Sequence, residues 1–300
     1  MEQRIKHTQC LICGSSDFKT VFSVKDHSIS QEVFEVVDCQ SCGFRFTQNI
    51  PDQASIGPFY QSEDYISHSD TKTGLINRLY HWGRSIMLQR KLNLIKKYAV
   101  LDKILDVGSG TGYFLDFLQK NQYKAFGIEE DEGARAYAKK QFGIQVNAPA
   151  ALLDDELPGP FGAITMWHVL EHVHEPDLYL QKFHRLLADQ GALIIAVPNH
   201  ISHDGQHYQA YWAGYDVPRH LWHFSPKSMQ GLVERNGFQI SEKIKMPLDP
   251  FYVSMLSERY QGKGIIGLAA AAFQGLQTHL KSLKNVDQAS SLIYVLKKKN

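Results

Sequence analysis

The pattern of apolar residues divides the chain into two unlike parts. After about residue 100, short runs of consecutive apolar residues alternate with segments of helical spacing, which is typical of buried parallel strands joined by helices. The runs are Lys103–Val107, Lys124–Ile128, Phe161–Met166 and Ala192–Val197. The last strands, Phe238–Met246 and Ser291–Lys297, are predicted to pair antiparallel. The sequence therefore predicts an α/β sheet in the C-terminal two-thirds.

The first part has strands of a different kind. Alternating apolar residues at 18–24 and 33–37 predict short half-exposed strands, and residues 75–98 have helical spacing with Leu92 and Ile95 on the apolar stripe. We predict a small module over residues 1–50, a linker and helical lid over 51–99, and the α/β domain over 100–300. Residues 251–284 are predicted to form a helical insert within that domain.

All four cysteines lie in the small module. Cys10, Cys13, Cys39 and Cys42 form two Cys-x-x-Cys pairs, each followed by glycine, which is the spacing of a zinc ribbon. A module of this size has too little core to fold securely alone, so we expect a structural Zn²⁺ ion, one per chain. Redox cysteines are the alternative. Residues 1–60 carry five basic and seven acidic side chains, which disfavours nucleic-acid binding by this module.

The composition narrows the class of protein. Apolar residues make up 43% and charged residues 21% of the 300 residues, with a net charge of +1. This indicates a folded protein without a generally basic surface. The sequence has neither an apolar run of spanning length nor a secretory signal core, so we expect a cytoplasmic location.

A glycine-rich turn follows the first strand of the α/β domain. The run from Asp106 has glycines at 108, 110 and 112 before a helix expected to begin near Thr111. Such a turn lets a ligand approach the backbone and the free N–H groups of the helix. Glu129, at the end of the next strand, is placed to bind the hydroxyls of a ribose. Tyr113 occupies the third glycine position of the dinucleotide fingerprint, which disfavours NAD.

The segments ILDVGSGTGYFL, FGIEE and FGAITMWHVLEHVHEPDLYLQKFHRLLADQGALIIAVPN resemble class I S-adenosylmethionine-dependent methyltransferases over about residues 100–245, nearest the ubiquinone and menaquinone methyltransferase branch. The resemblance implies a Rossmann-like, doubly wound, seven-stranded, mostly parallel sheet. It implies S-adenosylmethionine as cofactor, with Glu129 on the ribose. The other cofactor-binding candidates are Tyr65, Asp106, Gly108, Ser109, Gly110, Thr111, Gly112, Tyr113, Met166, Trp167 and His168. Tyr60, Tyr65 and His68 are lid candidates, with packing between domains as the alternative.

Nine of the 14 histidines lie between His168 and His223. We predict His220, and second His168, as the base for an acceptor, because imidazole titrates near neutral pH. A second metal site on His200, His203 and His207 is an alternative, and so are loop histidines without a chemical role. The pair Glu171–His172 is expected to cap the following helix.

These features predict transfer of a methyl group from S-adenosylmethionine to a small-molecule acceptor, at oxygen or carbon. Two alternatives stay open: an RNA- or protein-directed methyltransferase docking through the ribbon, and a catalytically silent cofactor-binding module. The insert at 251–284 could cover the site, touch a membrane or form a homodimer contact.

Overall fold

The computed structural model describes residues 4–60 and 75–299 of the chain. The strands of the N-terminal part are β1 (Arg4–Ile5), β2 (Phe18–Lys25), β3 (Val33–Cys39), β4 (Arg45–Thr47) and β5 (Ile50–Pro51). Those that follow are β6 (Lys103–Val107), β7 (Lys124–Ile128), β8 (Phe161–Trp167), β9 (Leu187–Pro198), β10 (Trp222–His223), β11 (Phe238–Lys245) and β12 (Ser291–Lys298).

The helices lie mainly between these later strands. They are α1 (Leu75–Tyr98), α2 (Tyr113–Lys120), α3 (Glu132–Phe142), α4 (Ala150–Leu153), α5 (Pro176–Leu186), α6 (His203–Tyr208), α7 (Pro226–Arg235), α8 (Asp249–Tyr260) and α9 (Gly264–Lys284).

The central sheet has six strands in the order β11-β12-β9-β8-β6-β7. Strands β9, β8, β6 and β7 pair in parallel, and β12 pairs antiparallel with both β9 and β11. The predicted count of seven strands is wrong for the described residues. Where the seventh would lie, beside β7, the chain makes a single parallel bridge between Ile128 and Asn147. Pro149, the second residue after Asn147, has no N–H to extend the ladder.

Helices cover both faces of this sheet because neighbouring residues of a strand point to opposite sides. Leu105 of β6 joins the cluster that α5 and α7 complete, whereas Ile104 joins the opposite cluster with α1 and α2. Leu193 and Ile194 of β9 divide in the same way. The sheet is therefore buried on both faces, which explains the continuous apolar runs of its strands.

Two helix boundaries differ from the sequence prediction. Helix α2 begins at Tyr113 rather than near Thr111. The spacing of Leu180, Phe183 and Leu187 predicts one helix that continues to Gly191. In the structure helix α5 ends at Leu186, and Leu187 pairs with Phe161 as the first residue of β9. Side-chain spacing alone did not separate a helix end from a strand start.

The N-terminal module packs directly on the α/β domain. Its sheet has the order β10-β4-β3-β2, so the fourth strand comes from residues 222–223. Phe44 and Phe46 share one buried apolar cluster with Trp222 and Phe224. The N-terminal module, which contains the four cysteines, therefore shares its hydrophobic core with the segment that precedes α7.

The insert folds as the antiparallel neighbours α8 and α9. Exposed apolar side chains of α9 include Ile266, Phe273, Leu276, Leu280 and Leu283. Their spacing alternates close to three and four residues, which is typical of a helix–helix contact seam. The homodimer contact stays a prediction. Among the described residues, we find no helix of sufficient length and hydropathy to cross a membrane.

Candidate functional site

The glycine-rich turn runs from the end of β6 into α2. Gly108, Gly110 and Gly112 all have positive φ angles, of 75°, 54° and 85°. A Cβ on Gly108 would lie 2.2 Å from a methyl group of Val169, and one on Gly112 would lie 2.8 Å from Ala138. At Gly110 no atom of residues 4–60 or 75–299 lies within 4 Å of the same position. Two of the glycines are thus required by packing, and the third faces an open cradle.

Glu129, at the end of β7, is fixed beside this cradle by backbone donors. Its Oε2 accepts a hydrogen bond of 2.7 Å from Gly110 N–H, and its Oε1 accepts one of 3.0 Å from Asp131 N–H. A carboxylate has about four lone-pair sites, so about two remain for other donors. This carboxylate can accept hydrogen bonds from both hydroxyls of a ribose placed over Gly110.

Asp106 lies near the end of β6, just before the glycine-rich turn. It is fully buried, and Thr165 donates a hydrogen bond of 2.5 Å to its Oδ1. Burial raises the pKa of Asp106 to about 6, although the positive charge of Lys91 and the Thr165 hydroxyl oppose this. The Lys91 Nζ atom lies 4.6 Å from the Trp167 ring centroid. Sequence reasoning missed Lys91 because nothing in the pattern of α1 marks which lysine faces the site.

The end of β8 carries the next predicted residues. Met166 is buried and pairs in register with Val107, so the two strand ends lie side by side. Trp167 packs edge-on against a phenylalanine of α2. His168 follows with a φ of 57°, a backbone conformation that is uncommon for non-glycine residues. Such backbone strain is often found at functional sites.

Residues 168–172 do not serve as a helix cap. The N-cap of α5 is Glu175, so the expected capping role of Glu171 and His172 is wrong. Glu171 is instead fully buried, with its Oε1 3.4 Å from His168 Nδ1. Burial alone would lower the pKa of His168, but Glu171 and Asp249 outweigh it and raise that pKa.

The His220 side chain, which comes from the loop before β10, lies beside His172. Its ring packs edge-on against His172, with 4.6 Å between the ring centroids. Its Nδ1 donates a hydrogen bond of 2.9 Å to the carbonyl of Gly214. The structure therefore brings together His168, Glu171, His172 and His220. The spacing H-x-x-E-H in residues 168–172 was the signal that could have marked this group in the sequence.

Thr47 and Asp26 of the N-terminal module (residues 1–50) form hydrogen bonds with the loop that carries His220. The Thr47 hydroxyl donates a hydrogen bond of 2.8 Å to the His220 carbonyl, and His223 Nε2 lies 2.9 Å from the Thr47 hydroxyl oxygen. Arg219 is buried between Asp216 and Asp26, and Asp26 belongs to the module. Burial acts against ionisation of Asp26, but N–H and hydroxyl donors of Ser30 and the charge of Arg219 lower its pKa overall.

The cysteines themselves form a compact group. All four sulfur atoms lie within 4.8 Å of one another, with 3.6 Å from Cys10 to Cys42 and 3.5 Å from Cys13 to Cys39. A tetrahedral Zn²⁺ ion with Zn–S bonds of about 2.3 Å requires sulfur separations of about 3.8 Å. Burial would raise the pKa of Cys39, but backbone N–H groups outweigh it and bring that pKa to about 7. The four thiols fit a zinc ion.

Other predicted residues lie apart or outside the described part. His203 faces Gln277 and Lys281 of α9, and His200 is buried near Arg45, where burial lowers its pKa to about 3. Within the described residues, His200, His203 and His207 do not form a group with metal-ligand separations. Tyr60 Oη lies 3.1 Å from His172 Nδ1, whereas Tyr65 and His68 lie outside the described residues.

Parts of this chain are similar in sequence to curated methyltransferases. The chain is 28% identical over 117 residues to the ubiquinone biosynthesis O-methyltransferase of Pseudomonas aeruginosa (strain LESB58), covering 36% of this chain and 50% of that protein. It is 22% identical over 147 residues to a protein of Mycolicibacterium smegmatis named a probable S-adenosylmethionine-dependent methyltransferase, covering 47% of this chain and 53% of that one. The chain thus spans about half the length of these curated relatives.

One solved structure is similar to this chain in fold over most of its length. The magnesium protoporphyrin IX methyltransferase from Synechocystis PCC 6803, with bound SAH, superposes with a TM-score of 0.51 at 12% identity, covering 83% of this chain and 100% of that one. Residues 79–243 match a family model described as a methyltransferase domain, which is more than half of the chain. The chain therefore belongs to the methyltransferase-domain family, with the fold of the class I S-adenosylmethionine-dependent methyltransferases.

Proposed function

We propose that the protein transfers the methyl group of S-adenosylmethionine to an oxygen atom of a small-molecule acceptor. The observation that supports this most is the placement of two unlike groups at one edge of the sheet. The open cradle at Gly110 lies with Glu129 at the ends of β6 and β7, and the histidine–glutamate group follows the end of β8. In sheets of this kind, ligands bind at the carboxyl ends of the strands.

The residues of the turn would hold the cofactor. Gly110 leaves room for its methionine part, Asp106 fixes the turn from below, and Glu129 accepts hydrogen bonds from its ribose. Ser109, Thr111 and Tyr113 complete the turn, and Met166 and Trp167 form the wall at the end of β8.

When bound, S-adenosylmethionine supplies a methyl group on a positively charged sulfur: the C–S bond breaks with its electron pair left on sulfur while the O–C bond forms. The chain's own residues have to align the acceptor oxygen with that methyl group and remove its proton. His220 Nε2 and His168 are the proposed proton acceptors. Because His220 donates through Nδ1 to Gly214, its lone pair is on Nε2.

We also propose that the four cysteines hold one structural Zn²⁺ ion. The module braces the His220 loop through Thr47 and Asp26, so the ion would stabilise the acceptor side of the site indirectly. The same contacts argue against a detached docking arm, as does the acidic balance of residues 1–60. For this reason we prefer a small-molecule acceptor over RNA or protein.

Calorimetry with S-adenosylhomocysteine tests the cofactor site. Glu129→Gln should weaken binding about 10-fold to 100-fold, the magnitude of a lost hydrogen bond to a charged group. Glu130→Gln, at the exposed neighbouring position, is the matched control and should bind as the wild type does. Absence of binding to the wild-type protein would refute the proposed cofactor.

Incubation with methyl-labelled S-adenosylmethionine tests the acceptor class. We expect label in the low-molecular-mass fraction of a cell extract, sensitive to His220→Asn, while cofactor affinity is retained. Label in the RNA or protein fraction would instead support the alternative acceptor classes. No transfer to any fraction, with intact cofactor binding, would indicate a catalytically silent module.

A further inference from the structure

A second group of metal-ligand side chains lies away from the cysteines. Glu171, His172 and His220 each offer a ligand atom, and these atoms lie within 4.8 Å of one another. The first two follow β8, whereas His220 comes from the loop that Thr47 holds. Because His220 is far in sequence from the adjacent residues Glu171 and His172, only the fold brings the three together.

The carboxylate of Glu171 lacks the partners that a buried charge needs. Its side chain is fully buried, and neither oxygen has a hydrogen-bond partner among the residues that the structure describes. The nearest cation candidate is His168 Nδ1, at 3.4 Å from Oε1, which leaves Oε2 unmatched. A buried carboxylate oxygen without a hydrogen-bond partner is costly, so Oε2 is the atom of this group that a bound cation would satisfy.

The two imidazoles are oriented as metal ligands are. His172 Nδ1 lies 3.0 Å from the Arg219 carbonyl, and His220 Nδ1 lies 2.9 Å from the Gly214 carbonyl. A carbonyl only accepts hydrogen bonds, so each ring carries its proton on Nδ1 and a lone pair on Nε2. Metal-binding histidines are typically held in this way, with the far nitrogen donating to a backbone carbonyl.

The surrounding charges favour a divalent ion. Arg219 is shared by two carboxylates, Asp26 and Asp216, with 3.1 Å and 2.5 Å from its Nη2. Asp216 also faces His220, at 3.9 Å from Nε2. Glu171 is a second carboxylate beside the same histidines, with its Oε1 3.4 Å from His168 Nδ1, and among the described residues it has no ion pair with an arginine or lysine. Two carboxylates beside the histidine pair favour binding of a cation there.

We propose that Glu171, His172 and His220 bind a divalent transition-metal ion through one carboxylate oxygen and two imidazole nitrogens. This donor set suits ions such as Mn²⁺, Fe²⁺, Co²⁺ or Zn²⁺, whereas Mg²⁺ prefers oxygen ligands alone. Three protein ligands leave coordination positions free. If the proposed function holds, an acceptor hydroxyl would occupy one of them and the ion would lower its pKa. The His220 Nε2 lone pair would then bind the ion, so His168 or solvent, and not His220, would accept the proton of the acceptor.

Binding of Mn²⁺ or Co²⁺ to the full-length protein tests this site. Protein dialysed against citrate, with its ribbon zinc confirmed by elemental analysis, is titrated with Mn²⁺ and followed by electron paramagnetic resonance. We expect one Mn²⁺ ion per chain in addition to the zinc. Glu171→Gln should weaken binding about 100-fold or more. Glu175→Gln, an exposed glutamate four residues on, is the control and should bind normally.

The outcomes separate this proposal from the proposed function. If neither Mn²⁺ nor Co²⁺ binds beyond the zinc, or if binding survives Glu171→Gln, the site assignment is overturned. Calorimetry with S-adenosylhomocysteine is run on the same samples. Metal binding without cofactor binding would refute the methyltransferase activity and leave the metal site standing. Should Glu171→Gln fail to fold, His220→Asn removes a less buried ligand and is expected to show the same loss of Mn²⁺.

Discussion

The glycine turn offers a paired test, because Gly108 and Gly110 share one backbone conformation but differ in their surroundings. Both have positive φ angles, so alanine at either position carries the strain of the left-handed region, about 1–2 kcal/mol. At Gly108 the new methyl group would also lie 2.2 Å from Val169, whose two methyl groups leave it little room to turn away. Overpacking of this kind costs about 1–3 kcal/mol more.

Gly108→Ala should therefore lose about 2–5 kcal/mol of unfolding free energy, and Gly110→Ala about 1–2 kcal/mol. At about 2–3 °C per kcal/mol for a chain of this size, the first variant melts about 4–15 °C lower than the wild type. Thermal unfolding followed by circular dichroism measures this difference. A Gly108→Ala protein that melts no lower than Gly110→Ala would refute the packing argument.

The two variants are expected to rank in the opposite order when affinity for the cofactor, and not stability, is measured. In Gly110→Ala the added methyl group occupies the open cradle, and overpacking of about 1–3 kcal/mol corresponds to about a 5-fold to 150-fold loss of affinity for S-adenosylhomocysteine. Calorimetry on the folded variant measures this. Wild-type affinity in Gly110→Ala would show that the ligand does not pass over that residue.

Three further predictions concern the cysteine module and its contacts. Thr47→Val should lower the free energy of unfolding by about 1–3 kcal/mol in urea denaturation, because it leaves a buried carbonyl and an imidazole without a partner. Thr20→Val, on the exposed side of β2, should change it by about 0.5 kcal/mol or less. The stability that Asp26 gains from Arg219 is present above its unfolded pKa of 3.8 and lost as the pH falls through its lower folded value. Below about pH 4, the wild type should thus lose stability more steeply than Asp26→Asn, and parallel curves would contradict this. Treatment with a chelator should release one zinc ion per chain and abolish turnover. The near-ultraviolet circular dichroism of the aromatic residues in the N-terminal module should be lost with it. Full turnover of the zinc-free protein would exclude a structural role for the ion.

Local sequence determined much of the fold. The apolar runs gave the parallel strands because a sheet covered on both faces needs apolar residues at successive positions, as in β8. The capping serine and proline placed the start of α7 at Pro226. The glycine positions marked the turn after β6, since positive φ angles select glycine. The two Cys-x-x-Cys pairs marked the four sulfur atoms that the fold brings together.

Tertiary structure alone determines which residues surround His220. No local pattern shows that Thr47 would hold the His220 loop, since that contact spans 173 residues of sequence and depends on how two sheets meet. The grouping of Glu171 with His172 and His220 has the same origin, because a turn after β8 and a distant loop meet only once the chain is folded. Side-chain type indicates which chemistry is available, but the burial and mutual distance that make it a site arise from long-range packing.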